Sequence, residues 1–110
     1  MKTTIFIVLL ALLLTACSQS IPEDKSDYIG VWQKEGEATL VILADGLCTY
    51  RHSKDSQNIS VSGPIKEFDG NDFIVGILSN SKRFTVTEPP NNDNGSWQMV
   101  VEGIRFTKVK

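Results

Sequence analysis

Cysteine and histidine are scarce in this 110-residue chain, with two of the first and one of the second. A structural zinc centre takes four ligands, and a nucleophile needs a base and an orienting group in mutual reach. His52 stands just before the loop Lys54 to Asn58, with Ser53 and Asp55 beside it. Alone it is read as a solvated strand-end residue, neither general base nor metal ligand. A Gly-rich phosphate loop, a Gly-x-Ser-x-Gly elbow and an Asp-x-Asp-x-Asp-Gly calcium loop are all missing. Asp69, Asp72 and Asp93 fall among Asn and Gly, where short acidic side chains cap turn amides. No catalysis, metal or cofactor is expected. Basic charge is scarce as well: the formal net charge is −2, and Lys82-Arg83 is the one adjacent basic pair. The concentrated footprint that a nucleic-acid backbone requires is absent.

Long apolar stretches are also lacking, with one exception. Ile5 to Leu14 is a run of ten apolar residues behind the basic Met1-Lys2. A stable transmembrane helix takes about 20 such residues, so this length predicts an export signal rather than a membrane span. The run ends in Leu14-Thr15-Ala16-Cys17, which resembles the bacterial lipobox, a Leu and two small residues before a Cys. The resemblance implies cleavage between Ala16 and Cys17, diacylglycerol on the Cys17 thiol, and a covalent lipid as the only prosthetic group. One acyl chain binds a bilayer marginally, whereas two or three hold, since each buried methylene contributes about 0.8 kcal/mol. Ser18 follows, where an Asp would imply inner-membrane retention in that family, so the expected location is the outer membrane, facing the periplasm. Cleavage leaves residues 17 to 110, with ten basic and thirteen acidic residues. It also leaves Cys48 without a partner, expected as a buried, inert thiol because free Cys is among the most buried residue types.

The expected organisation is a signal peptide over 1–16, a lipidated N-terminus and flexible tether over 17–27, and one β-domain over 28–110. Ser18 to Asp27 is polar with one Pro and no apolar period. From Tyr28 onward, short alternating runs are punctuated by Gly, Asn, Asp, Ser and Pro, which predicts strands near 28–34, 37–43, 47–53, 58–63, 65–68, 72–78, 82–88, 96–101 and 104–109. Asp45-Gly46, Asp69-Gly70 and Glu102-Gly103 supply positive-φ positions for tight hairpins. Gly63-Pro64 is read as a corner or edge, Pro89-Pro90 as a strand end and Asn91 to Gly95 as a loop. The fold class is therefore all-β: an antiparallel up-and-down meander of about eight or nine strands, closed as a small barrel or folded as a sandwich.

Gly30-Val31-Trp32 on the first strand resembles the Gly-x-Trp signature of lipocalins and their calycin relatives. That resemblance implies that Arg105, on the last strand, packs over Trp32. The three residues are candidates for closing the barrel or for lining a ligand cavity. Gly63-Pro64-Ile65-Lys66-Glu67-Phe68, Asp72-Phe73, Glu88-Pro89-Pro90 and Gly95-Ser96-Trp97-Gln98-Met99 together look similar to small bacterial lipoproteins of no established activity. Two functions are weighed on this footing. The first is an envelope lipoprotein whose β-domain binds a protein partner without catalysis, as an inhibitor, immunity protein or assembly accessory. The second is a lipocalin-like binder of a small hydrophobic ligand, which needs an open lumen. The large side chains Trp32, Phe68, Phe73, Phe84, Trp97 and Phe106 predict a filled one.

Overall fold

The computed structural model describes residues 20–77 and 80–109; the expected export segment and the lipobox-like Leu14 to Cys17 lie outside the described residues. Tight turns set the order of the strands. At Asn94-Gly95 and Glu102-Gly103 both turn residues have positive φ, the geometry whose twist matches that of the flanking strands. Asp55-Ser56 adopts it too, with φ of 51° and 70°, although neither residue is glycine. The strands so joined are β1 (Gly30–Lys34), β2 (Ala38–Ile42), β3 (Leu47–Lys54), β4 (Gln57–Asp69) and β5 (Asp72–Ile77), followed by β6 (Asn80–Phe84), β7 (Val86–Asp93), β8 (Ser96–Val101) and β9 (Ile104–Lys108).

They form one antiparallel sheet in the order β6-β5-β4-β3-β2-β1-β9-β8-β7, strongly curled into a half-barrel. The up-and-down meander expected from the turns is the observed architecture. The two edges, β6 and β7, are separated in the chain by Thr85 alone. At the corner where β6 passes into β7, side chains and backbone make the links without a ladder. Val86 N–H donates to Asp72 Oδ1 at 2.8 Å, Thr85 N–H to Glu102 Oε2 at 3.0 Å, and Glu102 N–H to the Thr85 carbonyl at 2.8 Å.

Three details differ from the sequence expectation. Gly63-Pro64 does not divide two strands: β4 runs through it, pairing Gly63 with Cys48 and Pro64 with Leu47 at the end of the β3 ladder. Beyond it β4 turns to β5, with a register shift between Ile65 and Glu67. A proline tolerates this because the hand-over leaves its missing N–H without a required partner. Pro89 and Pro90 likewise lie inside β7, an edge strand whose pairing with β8 slips between Val86 and Glu88 and again between Glu88 and Asn91. Finally, the latter part of the segment read as a tether packs on the sheet. Glu23–Tyr28 forms a 3-10 helix, Ile21 packs against the core, and Lys25 Nζ donates to the Gly70 carbonyl at 2.9 Å.

Inward positions fill the curl. Trp32, Leu40, Ile42, Phe73, Phe84, Met99 and Phe106 are fully buried. Phe73 stacks on Phe84 at 5.1 Å, and Tyr50 meets Phe84 edge-on at the same centroid distance. Burying side chains of this size contributes roughly 1.5–3 kcal/mol each, which is what holds so small a sheet in its curl.

Candidate functional site

The Gly-x-Trp segment builds one end of the curl. Trp32 points inward from β1 with its Nε1 donating to the Tyr28 carbonyl at 2.9 Å, which satisfies the indole where no water reaches it. Arg105 does not cover it. In β9, Ile104 and Phe106 face the core, so strand alternation turns Arg105 outward. There its guanidinium grips Glu88 at 2.8 and 3.1 Å and Gln98 at 3.0 Å. The cation over Trp32 belongs to Lys108, two residues past Phe106 on the inward parity and paired with Trp32 in register. Its Nζ lies 4.8 Å from the Trp32 ring centre and 5.3 Å from that of Trp97, and it donates to the Asp27 carbonyl at 3.1 Å. Burial lowers its pKa from the ordinary lysine value, with partial opposition from the Asp27 charge.

Gly30 explains why this stem fits. A Cβ there would come within 3.1 Å of Lys108 Cε and 3.3 Å of Cδ, and the residue has φ of +147°. Trp32 and the Lys108 stem, lying over Gly30, thus make a plug at one end of the curl. Sequence reasoning missed Lys108. The signal was the parity of β9, where Ile104, Phe106 and Lys108 share a face.

Tyr28 seals the neighbouring wall, its hydroxyl donating to the Asn71 carbonyl at 2.8 Å and its ring edge-on to Phe68 at 5.2 Å. Burial, with a smaller push from the Asp72 charge, raises its pKa to about 12. Cys48 is a buried free thiol whose pKa burial raises to about 12. His52 is less solvated than expected: its Nε2 faces Glu37 Oε2 at 3.5 Å and makes no hydrogen bond. Among the described residues no cluster of three or more His, Cys, Asp or Glu could hold a metal ion. Asp69 and Asp72 both hold Arg83, at 2.8 and 3.0 Å, and Asp93 ends β7.

Concave and open surfaces lie outside the curl. A cleft of about 410 Å³ runs between the segment Ser20–Lys25 and the second half of β4, floored by Ile21, Pro22, Ile65 and Phe68 and rimmed by Asp24, Lys25 and Glu67. At the other end, β2 stops at Ala38 opposite His52, while β3 and β4 continue as a projecting hairpin through Ser53↔Asn58 and Lys54↔Gln57. β5 pairs with β4 only from Ile65 to Asp69. Among the described residues, the Gln57–Ser62 stretch of β4 therefore pairs with no strand on the side away from β3, whereas Gly63 lies against Val75 and Gly76 of β5. The stretch is uncharged (QNISVS), and Ile59 on it is 48 % exposed. No family model, no curated protein and no solved structure matches this chain.

Proposed function

We propose that this protein is an envelope lipoprotein, anchored through Cys17, whose β-domain binds a protein partner and performs no chemistry of its own. The filled interior carries the reading, because side chains occupy the space where a lipocalin-like lumen would hold a ligand. Recognition is then left to the outside, where the open edge of β4 offers unpaired backbone groups. Exposed edges normally carry charge, proline or a bulge that blocks pairing. β6 has Lys82 and Arg83, and β7 has Pro89, Pro90 and two register shifts. Gln57–Ser62 has none of these, and an extended segment of a partner can add to such an edge as a further strand. A lipid anchor suits this work by concentrating the domain at the membrane without adding contacts.

The second reading, a binder of a small hydrophobic ligand, draws support from the cleft beside Ile21 and Phe68 rather than from the lumen. Photo-crosslinking in the native host separates the two. A benzoyl-phenylalanine at Ile59 is expected to give a discrete protein adduct that one at Thr107 does not. The adduct should disappear when Ser60→Lys charges the edge. Absence of any adduct at Ile59, together with a small molecule retained in native mass spectra, would shift the function to the cleft.

A further inference from the structure

We infer that the apolar outer face at one end of β1–β3 rests on the lipid surface that carries the anchor, so that the domain docks on the bilayer. The inference depends on the lipoprotein reading above and adds an orientation to it. Register places Val31 opposite Val41, and Val109 N–H donates to the Val31 carbonyl at 2.7 Å, so these residues share one outward row, which Thr49 and Ser62 continue across β3 and β4. Leu43 and Leu47, joined by a backbone bond of 2.9 Å, make the next row, with Pro64 opposite Leu47. Val31, Leu43 and Leu47 are 42, 44 and 42 % exposed, large values for side chains of this kind on neighbouring strands. One step the other way along the same face, the row reads Gln33, Thr39, Arg51, Ser60 and Thr107. The outer surface thus changes from apolar to polar along the strands, and the valine row also turns polar across them at Thr49 and Ser62, which leaves Leu43, Leu47 and Pro64 as the apolar row nearest the end.

The chain from the anchor arrives at the apolar end. Ile21 N–H donates to the carbonyl of Ala44 at 3.1 Å, in the turn between Leu43 and Leu47. Cys17 precedes Ile21 by four residues, and at about 3.6 Å per residue the anchored residue stays within roughly 14 Å of it however the chain runs. Diacylglycerol on Cys17 fixes that residue at the headgroup level, a layer about 5–8 Å deep on each side of the hydrocarbon. A leash this short keeps Leu43 and Leu47 within reach of the headgroups, and apolar side chains that enter the interface gain by doing so. Asp45, the charged residue of the turn, accepts the Leu47 N–H at 3.1 Å, turning its carboxylate back on its own backbone.

The test uses the lipidated protein purified from its host and reconstituted in phosphatidylethanolamine–phosphatidylglycerol vesicles containing a nitroxide-labelled phosphatidylcholine. Leu43→Cys and, as control, Thr107→Cys carry an NBD fluorophore; both positions are exposed, and the buried Cys48 does not compete for label. Docking predicts blue-shifted emission and several-fold stronger nitroxide quenching at position 43 than at 107. Protein that floats with the vesicles but is quenched equally at both positions overturns the docking and leaves the anchor standing. Protein that carries no acyl mass on Cys17 and does not float removes the anchor, and the docking falls with it.

Discussion

Residue identity explains the plug at Trp32 more than family likeness does. The Gly-x-Trp spacing was legible in the sequence, and so was the inward Trp; the choice of cation was not. Arg105 and Lys108 are three residues apart on one strand, and only the inward parity of Ile104 and Phe106 decides between them. Trp32→Ala is expected to cost about 3–5 kcal/mol in urea unfolding, the range for emptying a buried aromatic site. Arg105→Ala should leave the midpoint nearly unchanged, since its pairing with Glu88 is exposed to solvent that screens it. The reverse ranking would restore Arg105 as the closing residue. Cys48 gives a second prediction at this scale. With burial pushing its thiol to about 12, almost no thiolate forms near neutral pH. The folded protein should therefore resist Ellman's reagent at pH 8 and release one equivalent of thionitrobenzoate for Cys48 once urea unfolds it; rapid reaction of the folded protein would contradict the burial.

Strand elements were read well where alternation and turn chemistry agreed, as in β8, expected and found at 96–101. Misreadings came where proline was taken as a boundary. Pro64 lies where β4 changes partner, and Pro89-Pro90 lie on an edge, the two sheet contexts in which a missing N–H costs no ladder bond. The reading of Gly63-Pro64 as a corner holds, since β4 changes partner there, but the edge position of Pro89-Pro90 is fixed by long-range pairing that a single sequence does not give. The break at Thr85 was equally hidden, since the alternation Phe84, Val86 runs through it unbroken. At that break Asp72 replaces a ladder, its carboxylate accepting the Val86 N–H and the Arg83 guanidinium. The Val86 N–H bond, then Arg83, hold its pKa below the ordinary carboxylate value. A carboxylate depressed on folding contributes stability that is present above its unfolded pKa and lost as pH falls through the folded one. Unfolding midpoints measured from pH 6 down should fall below about pH 4, the unfolded Asp range. Asp72→Asn should lower the midpoint at pH 6 and make the decline toward acid shallower. A variant with the same slope as wild type would move the acid-sensitive group elsewhere; Glu88, held low by Arg105 and Asn91, is then the next to substitute.

For the molecule as a whole, the proposed address and the fold are read from separate parts of the sequence. Among the described residues, the core runs from Tyr28 to Phe106. Patterning disclosed the meander and the filled interior, because turn residues and side-chain size act locally. The open edge of β4 and the apolar end of β1–β3 stayed hidden, since each is defined by strands that are absent or by positions on three strands at once. Separation of the two parts makes Cys17→Ser a clean experiment. The substitution removes the thiol that the lipobox resemblance assigns to diacylglycerol, yet touches no residue of the β-domain. The variant should take up no radioactive palmitate, accumulate as precursor retaining residues 1–16, and still show the near-ultraviolet dichroism of a buried Trp32. Palmitate labelling equal to that of the parent would abolish the anchor, and with it the geometric reason for placing Leu43 and Leu47 against lipid. Loss of labelling together with loss of the tryptophan signal would instead mean that the domain reaches its fold only when tethered.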